Sequence, residues 1–270
     1  MDEQKIRLMA ARMRKSILDI SHSCNMSAHL GGGLSMVEIT ATLYGAVMNY
    51  RAEEPAWDGR DRFILSKGHG VLGYFSALLA AGILSEEVFQ TFQTNGSDLI
   101  AHPVMNLALG IESSNGSLGQ GLSMCVGLAL AAKKKQLPHK IYVLLGDGEC
   151  NEGSVWEAVM LAAQLKLDNL TAVVDYNKLQ SDGAGSQILD YQDFEKKWES
   201  FGWNVHSVDG HDIPALLAAF ASGTDARPKV LIAHTIKGKG IDFMENNNDW
   251  HHNRLTRTQY EQALAALGVA

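Results

Sequence analysis

The sequence lacks the features that would place it in a membrane or outside the cell. No apolar run approaches the roughly 20 residues that a membrane-spanning helix needs. The charged N-terminal stretch, MDEQKIRLMAARMRKSILDI, is helical in period and is not a secretory signal. Cysteine is scarce: the chain has three, Cys24, Cys125 and Cys150. They show neither close pairing nor the spacing of a metal site. We therefore expect a reduced, cytoplasmic protein, since disulfides belong to oxidising compartments.

Excess positive charge is missing as well. The chain has 23 Lys and Arg residues against 30 Asp and Glu residues, which gives a formal net charge of -7. This balance argues against a nucleic acid or an anionic membrane as partner. With 270 residues, of which 46% are hydrophobic, the chain is long enough to bury a large core. Glycine is plentiful, and its 26 residues fall in clusters of the kind that let a backbone approach a ligand closely.

Short apolar strands alternate with helices along the chain. The predicted strands cover residues 62–66, 141–145, 170–175, 203–208 and 229–234. The predicted long helices cover residues 4–20, 34–48, 122–135, 152–165 and 213–221, with one ending near 81 and one starting near 257. Ser35 is expected to cap the second of them, with Glu38 three residues further on. The alternation predicts a single α/β domain with a parallel sheet and helices on both faces, where ligands lie beyond the carboxyl ends of the strands.

One predicted strand ends in an aspartate between two glycines. In the stretch IYVLLGDGECNEG, Asp147 follows the strand directly, and Gly146 and Gly148 let the backbone turn sharply. A carboxylate at this point suits a hard cation such as Mg²⁺. The next strand leads to Asn177, 30 residues after Asp147, and a carbonyl near Leu179 could add a further oxygen. Asp147 alone could be a helix cap, but the pair predicts a metal that bridges the protein to a diphosphate, because Mg²⁺ takes few protein ligands.

This arrangement resembles the thiamine-diphosphate-binding motif, and the flanking sequence resembles the N-terminal, diphosphate-binding domain of transketolase. The matching segments, in order, are SAHLGGGLSMVEI, RFILSKGHG, AHP, IESSNGSLGQG, GDGECNEGSVWE and TIKGKG. They run from about residue 20 to 255, so the resemblance covers nearly the whole chain and implies one transketolase-type domain over residues 1–270. Ala101 stands where the family commonly has glycine and Tyr176 where it commonly has asparagine, which leaves the shape of the substrate pocket open.

The resemblance also implies roles for individual residues. Mg²⁺ (or Ca²⁺) would be held by Asp147, Asn177 and the carbonyl of Leu179. Thiamine diphosphate would be contacted by a histidine and by two glycine-containing loops, namely His69, Gly116, Ser117, Leu118, Gly146 and Gly148. The oxygens of the sugar substrate would face three further histidines, His29, His102 and His251, since neutral imidazole suits proton transfer near pH 7. Glu152 would join a carboxylate network that links paired sites in a dimer.

Other polar residues near these motifs are interpreted more plainly. The choice between His251 and its neighbour His252 stays open, with His251 favoured because Leu255 follows four residues later. Glu149 could be an acid that supports the metal ligands, but an exposed carboxylate is favoured. The histidines without motif support are expected to be surface or core residues, namely His22, His139, His206 and His211.

A full transketolase continues into a pyrimidine-binding domain and a C-terminal domain, whereas this sequence stops at Ala270. The resemblance therefore implies the N-terminal subunit of a split transketolase, which works with a separate C-terminal subunit that carries the pyrimidine-binding domain. We expect an α2β2 assembly that acts on small sugars, and a chain that is inactive alone. The reaction implied is the transfer of a two-carbon ketol unit from a ketose to an aldose.

Several alternatives stay open. The chain could belong to a transketolase specialised for an unusual sugar, branched or sulfonated. It could be the α subunit of a 2-oxoacid dehydrogenase E1 component, but His29, His69 and His102 suit polyol chemistry rather than decarboxylation. It could resemble 1-deoxyxylulose-5-phosphate synthase, which is normally one long chain. An inactive partner chain that only binds the cofactor is the last alternative, and Asp147 and Asn177 argue against it.

Overall fold

Parallel strands form the centre of the protein. The computed structural model describes residues 3–268, and within them five strands make one sheet in the order β1-β2-β3-β5-β4, with every neighbouring pair parallel. The strands are β1 (Arg62–Leu65), β2 (Ile141–Gly146), β3 (Leu170–Tyr176), β4 (Asn204–Asp209) and β5 (Lys229–His234). The prediction of an α/β domain with a parallel sheet is confirmed.

Helices cover both faces of the sheet. They are α1 (Glu3–Ser23), α2 (Leu30–Leu34), α3 (Val37–Thr42), α4 (Val71–Ala80), α5 (Glu86–Phe89), α6 (Gly121–Lys134), α7 (Gly153–Gln164), α8 (Gly185–Ile188), α9 (Phe194–Ser200), α10 (Ile213–Ala221) and α11 (Arg257–Ala266). Helices α1, α3, α4 and α10 bury their apolar side chains on one face, and α6, α7 and α9 do so on the other. No helix between residues 3 and 268 has the length and apolar character needed to cross a bilayer.

The central strands are apolar on both sides because both sides are covered. In β2, Tyr142 and Leu144 pack towards α1 and α4, whereas Val143 and Leu145 pack towards α6 and α7. Successive side chains of a strand point to opposite faces, so a strand between two layers of helices must be apolar throughout. This requirement explains why the apolar runs in the sequence locate β2 and β3 correctly.

The prediction of one continuous helix over residues 34–48 is wrong. The chain forms α2 and α3 with a break at Ser35 and Met36, and a π-helical turn follows over Leu43–Val47. Ser35 does not cap the helix that follows it: the N-cap of α3 is Met36, and the Ser35 hydroxyl lies 2.5 Å from the Asp175 carboxylate and 3.1 Å from the carbonyl oxygen of Gly32. The break therefore follows from a contact with the end of β3, which no local pattern reveals.

Candidate active site

The carboxyl ends of four strands meet at one edge of the sheet. There β1 leads into Lys67 and His69, β2 into Asp147, β3 into Asn177 and β5 into the loop that carries Lys237. Side chains and backbone from these four loops line a pocket of about 390 Å³. The parallel sheet thus brings together residues that are far apart in the sequence, at the edge where ligands bind in folds of this type.

Asp147 lies almost completely buried in the wall of this pocket. Its carboxylate accepts hydrogen bonds from the backbone N–H of Gly148, at 2.7 Å, and from the N–H of Lys178. Burial, and after it the neighbouring Asp175 carboxylate, raises the pKa of Asp147 to about 7. A buried carboxylate with this surplus of negative charge is a favourable place for a cation.

The other predicted metal ligands lie in the same wall. The Oδ1 atom of Asn177 accepts the N–H of Leu179 at 3.0 Å, and the carbonyl of Leu179 faces the Lys237 ammonium at 3.5 Å. No group of three or more His, Cys, Asp or Glu side chains within residues 3–268 has a metal-binding arrangement. The set formed by Asp147, Asn177 and the Leu179 carbonyl contains a single carboxylate. It fits Mg²⁺ held partly by a diphosphate and water, and does not fit a metal caged by protein alone.

A buried ion pair, missing from the sequence-based site, lies beneath this wall. Lys67 pairs with Asp175, and their side chains are 1% and 0% exposed. Lys67 also donates to the carbonyl of Gly32 at 2.8 Å, and the hydroxyls of Ser35 and Thr235 donate to Asp175. Burial alone would raise the pKa of Asp175, but the Lys67 ammonium and these donors hold that pKa below its usual value. The sequence carried a signal for both residues, a charge placed at or just after the end of an apolar strand.

The expectation that Glu149 is exposed is wrong. Its side chain is buried, and its carboxylate accepts the Ser66 hydroxyl, the N–H of Gly119 at 2.9 Å and the N–H of Gly146 at 3.1 Å. Glu149 therefore ties the end of β1 and the glycine-rich loop before α6 to the turn that carries Asp147. Burial raises the pKa of Glu149 despite these donors.

Histidines gather at the mouth of the pocket. The ring of His29 lies 5.3 Å from that of His69, 5.9 Å from His102, 5.3 Å from His251 and 4.5 Å from His252, measured between centroids. The half-buried His251 lines the pocket and lies 2.9 Å from the Lys237 ammonium, whereas His252 is exposed. The structure thus brings together the four predicted histidines and places both candidates of the His251–His252 pair beside His29.

The histidine cluster has lowered pKa values. Burial, followed by the neighbouring imidazoles, lowers the pKa of His29 to about 3. Burial and then the Lys237 ammonium lower the pKa of His251 to about 4. Burial also lowers the pKa values of His69 and His102. These rings are therefore neutral at physiological pH and each can both donate and accept a hydrogen bond.

The lowered pKa values predict a loss of stability in acid. Histidine in an unfolded chain has a pKa of about 6.5, so below that pH the unfolded chain binds more protons than a folded chain in which His29 and His251 resist protonation. We expect the urea midpoint of unfolding to fall between pH 7 and pH 5, and to fall less in a His29→Asn, His251→Asn double variant. Equal falls in the two proteins would contradict the neutral cluster.

The remaining predicted residues lie around the rim. Leu118 and the exposed Glu152 line the pocket, whereas Gly116 and Ser117 line an adjoining groove with His102. Only glycine fits at position 68, because a Cβ there would lie 2.7 Å from the carbonyl oxygen of Asn115. The turn after β1 therefore packs directly on the loop that leads to Gly116. The proposed link from Glu152 to a second site stays a prediction.

Comparison with known proteins agrees with this geometry. The family model described as "Transketolase, thiamine diphosphate binding domain" matches residues 6–270. The chain belongs to the transketolase family. The match favours transketolase over the 2-oxoacid dehydrogenase alternative. It also confirms that the domain is of the thiamine-diphosphate-binding type.

Curated relatives include proteins of similar length and much longer ones. An apulose-4-phosphate transketolase subunit of Phocaeicola vulgatus is 39% identical over 266 residues, which cover 98% of this chain and 94% of that protein. The 6-deoxy-6-sulfo-D-fructose transketolase subunit SqwG of a Clostridium species is 40% identical over 271 residues, covering 99% and 98%. The crystal structure of Campylobacter jejuni transketolase superposes with a TM-score of 0.90 at 31% identity, over 99% of this chain but only 43% of that one.

Proposed function

We propose that the chain is the diphosphate-binding subunit of a split transketolase, which transfers a two-carbon ketol unit from a ketose to an aldose. The observation that carries this proposal is the pocket at the carboxyl edge of the sheet. It combines the Asp147–Asn177 wall with a cluster of neutral histidines at its mouth. The near-complete coverage of subunit-type relatives, against 43% of a single-chain transketolase, supports a partner chain that carries the pyrimidine-binding domain. We propose an α2β2 assembly in the cytoplasm.

The pocket wall is suited to the diphosphate end of the cofactor. Mg²⁺ (or Ca²⁺) would be held by Asp147, Asn177 and the carbonyl of Leu179, and the diphosphate would complete its shell. Lys237 supplies a positive charge in addition to that of the metal, because its ammonium lies in the pocket lining. It donates to neutral acceptors, the Gln180 carbonyl at 3.2 Å and Asn248 Oδ1 at 2.9 Å. Its partners are not carboxylates, so its charge is available to an anion.

The histidine cluster is suited to the sugar. Thiamine diphosphate, when bound, supplies the electron sink for breaking and forming the carbon–carbon bond. His29, His102 and His251 hold neutral imidazoles that can bind hydroxyl and carbonyl oxygens and move protons between them. His69 lies deeper, beside Gly32 and Lys67, so we assign it to the cofactor rather than the substrate.

We further propose that the sugar is an unusual one. Two relatives that span nearly the whole chain are named for apulose-4-phosphate and for 6-deoxy-6-sulfo-D-fructose. The departures at Ala101 and Tyr176 stand beside the proposed site residues His102 and Asn177 and remove no proposed metal ligand. A ketose with a branched skeleton or a sulfonate group is therefore the first donor to screen.

Calorimetric titration of thiamine diphosphate and Mg²⁺ into the chain, by itself and with its candidate C-terminal partner chain, tests this function. We expect clear binding, and ketol transfer in a coupled assay, only when the partner is present. Ketol transfer by the purified chain would contradict the split site. Cofactor binding without ketol transfer from any donor would favour the alternative of an inactive cofactor-binding chain, and no binding at all would refute the cofactor site.

A further inference from the structure

The loop that follows β5 carries two side chains of the site. Thr235 donates to Asp175, and the Lys237 ammonium reaches His251 Nδ1 at 2.9 Å and the carbonyl of Leu179 at 3.5 Å. The position of this loop therefore sets the distance between the positive charge of Lys237 and the proposed metal ligands.

His211 holds one end of this loop. It follows β4, whose neighbour in the sheet is β5, and its Nε2 accepts the backbone N–H of Ile236 at 2.9 Å. Its Nδ1 lies 2.9 Å from Glu38 Oε2 on α3. Because Nε2 accepts a hydrogen bond, the ring proton is assigned to Nδ1, which donates to the Glu38 carboxylate.

Arg14 holds the other end. Its Nη2 lies 2.5 Å from the second oxygen of Glu38, and its Nε donates to the carbonyl of Lys239 at 3.2 Å. We call the side chains of Arg14, Glu38 and His211 the loop clasp. His211 contacts the loop at Ile236, Arg14 contacts it at Lys239, and Glu38 links the two. These contacts lie on either side of Lys237.

The loop clasp is buried in the protein and is not a contact between exposed side chains. Arg14 is 9% exposed and Glu38 8% exposed, so each needs the other as a charge partner. Gly240 has a φ of +93°, and a Cβ there would lie 2.9 Å from Arg14 Nε. A Cβ on Gly210 would lie 2.4 Å from the Thr235 methyl carbon. Both close approaches depend on glycine.

We propose that the loop clasp positions residues 235–240 so that Lys237 faces the cofactor pocket, with His211 as the positioning residue. The expected effect on cofactor affinity rests on the function proposed above. The expected effect on the loop itself does not. Other backbone bonds also hold the loop, namely Thr235 N–H to the Tyr176 carbonyl at 3.3 Å, Gly238 N–H to the Gly31 carbonyl at 3.0 Å and Asn246 N–H to the Lys237 carbonyl at 2.9 Å. None of these bonds uses the Ile236 N–H or the Lys239 carbonyl.

Two neutral replacements of His211 separate the loop contact from the Glu38 contact. In His211→Asn the amide can still donate to Glu38 but is too short to accept from Ile236, whereas in His211→Gln the longer side chain keeps an acceptor for that N–H. His206→Asn is the control, because this half-buried histidine on β4 contacts Ser222, at 3.0 Å, and not the loop. The readouts are amide hydrogen exchange over residues 235–240 and the affinity for thiamine diphosphate with Mg²⁺, both in the complex with the partner chain.

We expect faster exchange of the loop in His211→Asn, and a loss of cofactor affinity of about tenfold, similar to the loss when a residue that orients a metal ligand is replaced, because Lys237 would no longer be held facing the diphosphate. The rate at saturating cofactor should change much less, and His211→Gln should recover part of both losses. Unchanged exchange in His211→Asn, or equal effects in His206→Asn, would overturn the proposal. If the wild-type complex binds no cofactor, the function fails, and the exchange data alone decide for or against the loop clasp.

Discussion

Asp147→Asn is expected to abolish most of the metal-dependent binding of thiamine diphosphate while leaving the fold intact. The amide keeps the shape of the carboxylate but removes its charge, which is the single carboxylate in the proposed ligand set. Substitution of residues that only orient metal ligands costs about 10- to 100-fold in metal affinity. The loss of a direct ligand should therefore weaken cofactor binding by at least about 100-fold, measured by calorimetry with Mg²⁺ and the partner chain.

The stability of the cofactor-free chain should change much less than its affinity for the cofactor. Asp147 is buried beside Asp175, so a neutral amide relieves repulsion between two carboxylates. The amide has one acceptor oxygen in place of the two that accept the N–H groups of Gly148 and Lys178, so these effects oppose each other and we expect the melting temperature to change little. Asp190→Asn, which changes an exposed carboxylate on the connection between β3 and α9, is the control and should alter neither property. If the Asp147→Asn variant still binds the cofactor, and this binding still depends on Mg²⁺, the assignment of Asp147 as a metal ligand is contradicted.

Local patterns in the sequence predict the helices and strands whose pattern of burial is the same along their whole length. The bounds predicted for α10 and β5 agree with those found, because a helix with one buried face leaves a periodic signal and a strand buried on both faces leaves a continuous apolar run. The short helix α9 gives a weaker signal, and the sequence pattern does not predict it. Its Trp198 is fully buried against Trp203, a contact that forms only once the chain has turned back into β4.

The same distinction holds within the site. The spacing of Asp147 and Asn177 predicts that both lie at one edge of the sheet, because parallel strands end together. The burial of Glu149 and the pairing of Lys67 with Asp175 depend on residues from other strands, 83 and 108 positions away along the chain. No periodicity reports such contacts. The sequence could show that these charges follow apolar strands, but not which charge balances which.

Lys67→Met is expected to lower the free energy of unfolding by about 3–5 kcal/mol, which is typical of removing one partner from a buried ion pair. The methionine fills a similar volume, so the loss comes from Asp175, which is left buried with a charge that only hydroxyl and amide donors offset. The exposed pair of Lys133 and Asp168, at 2.8 Å, is the matched control, and Lys133→Met should cost only about 0–1 kcal/mol.

A second substitution identifies the cause. If the cost of Lys67→Met is the unpaired charge, adding Asp175→Asn should restore much of the lost stability, because the buried carboxylate is then neutral. If the cost were lost packing around the lysine stem, the double variant would be no more stable than the single one. Urea unfolding of the wild type, Lys67→Met, Asp175→Asn and the double variant, at one pH and without cofactor, separates the two explanations. Recovery of stability in the double variant without recovery of cofactor binding would show that the ion pair is needed at the site and not by the fold.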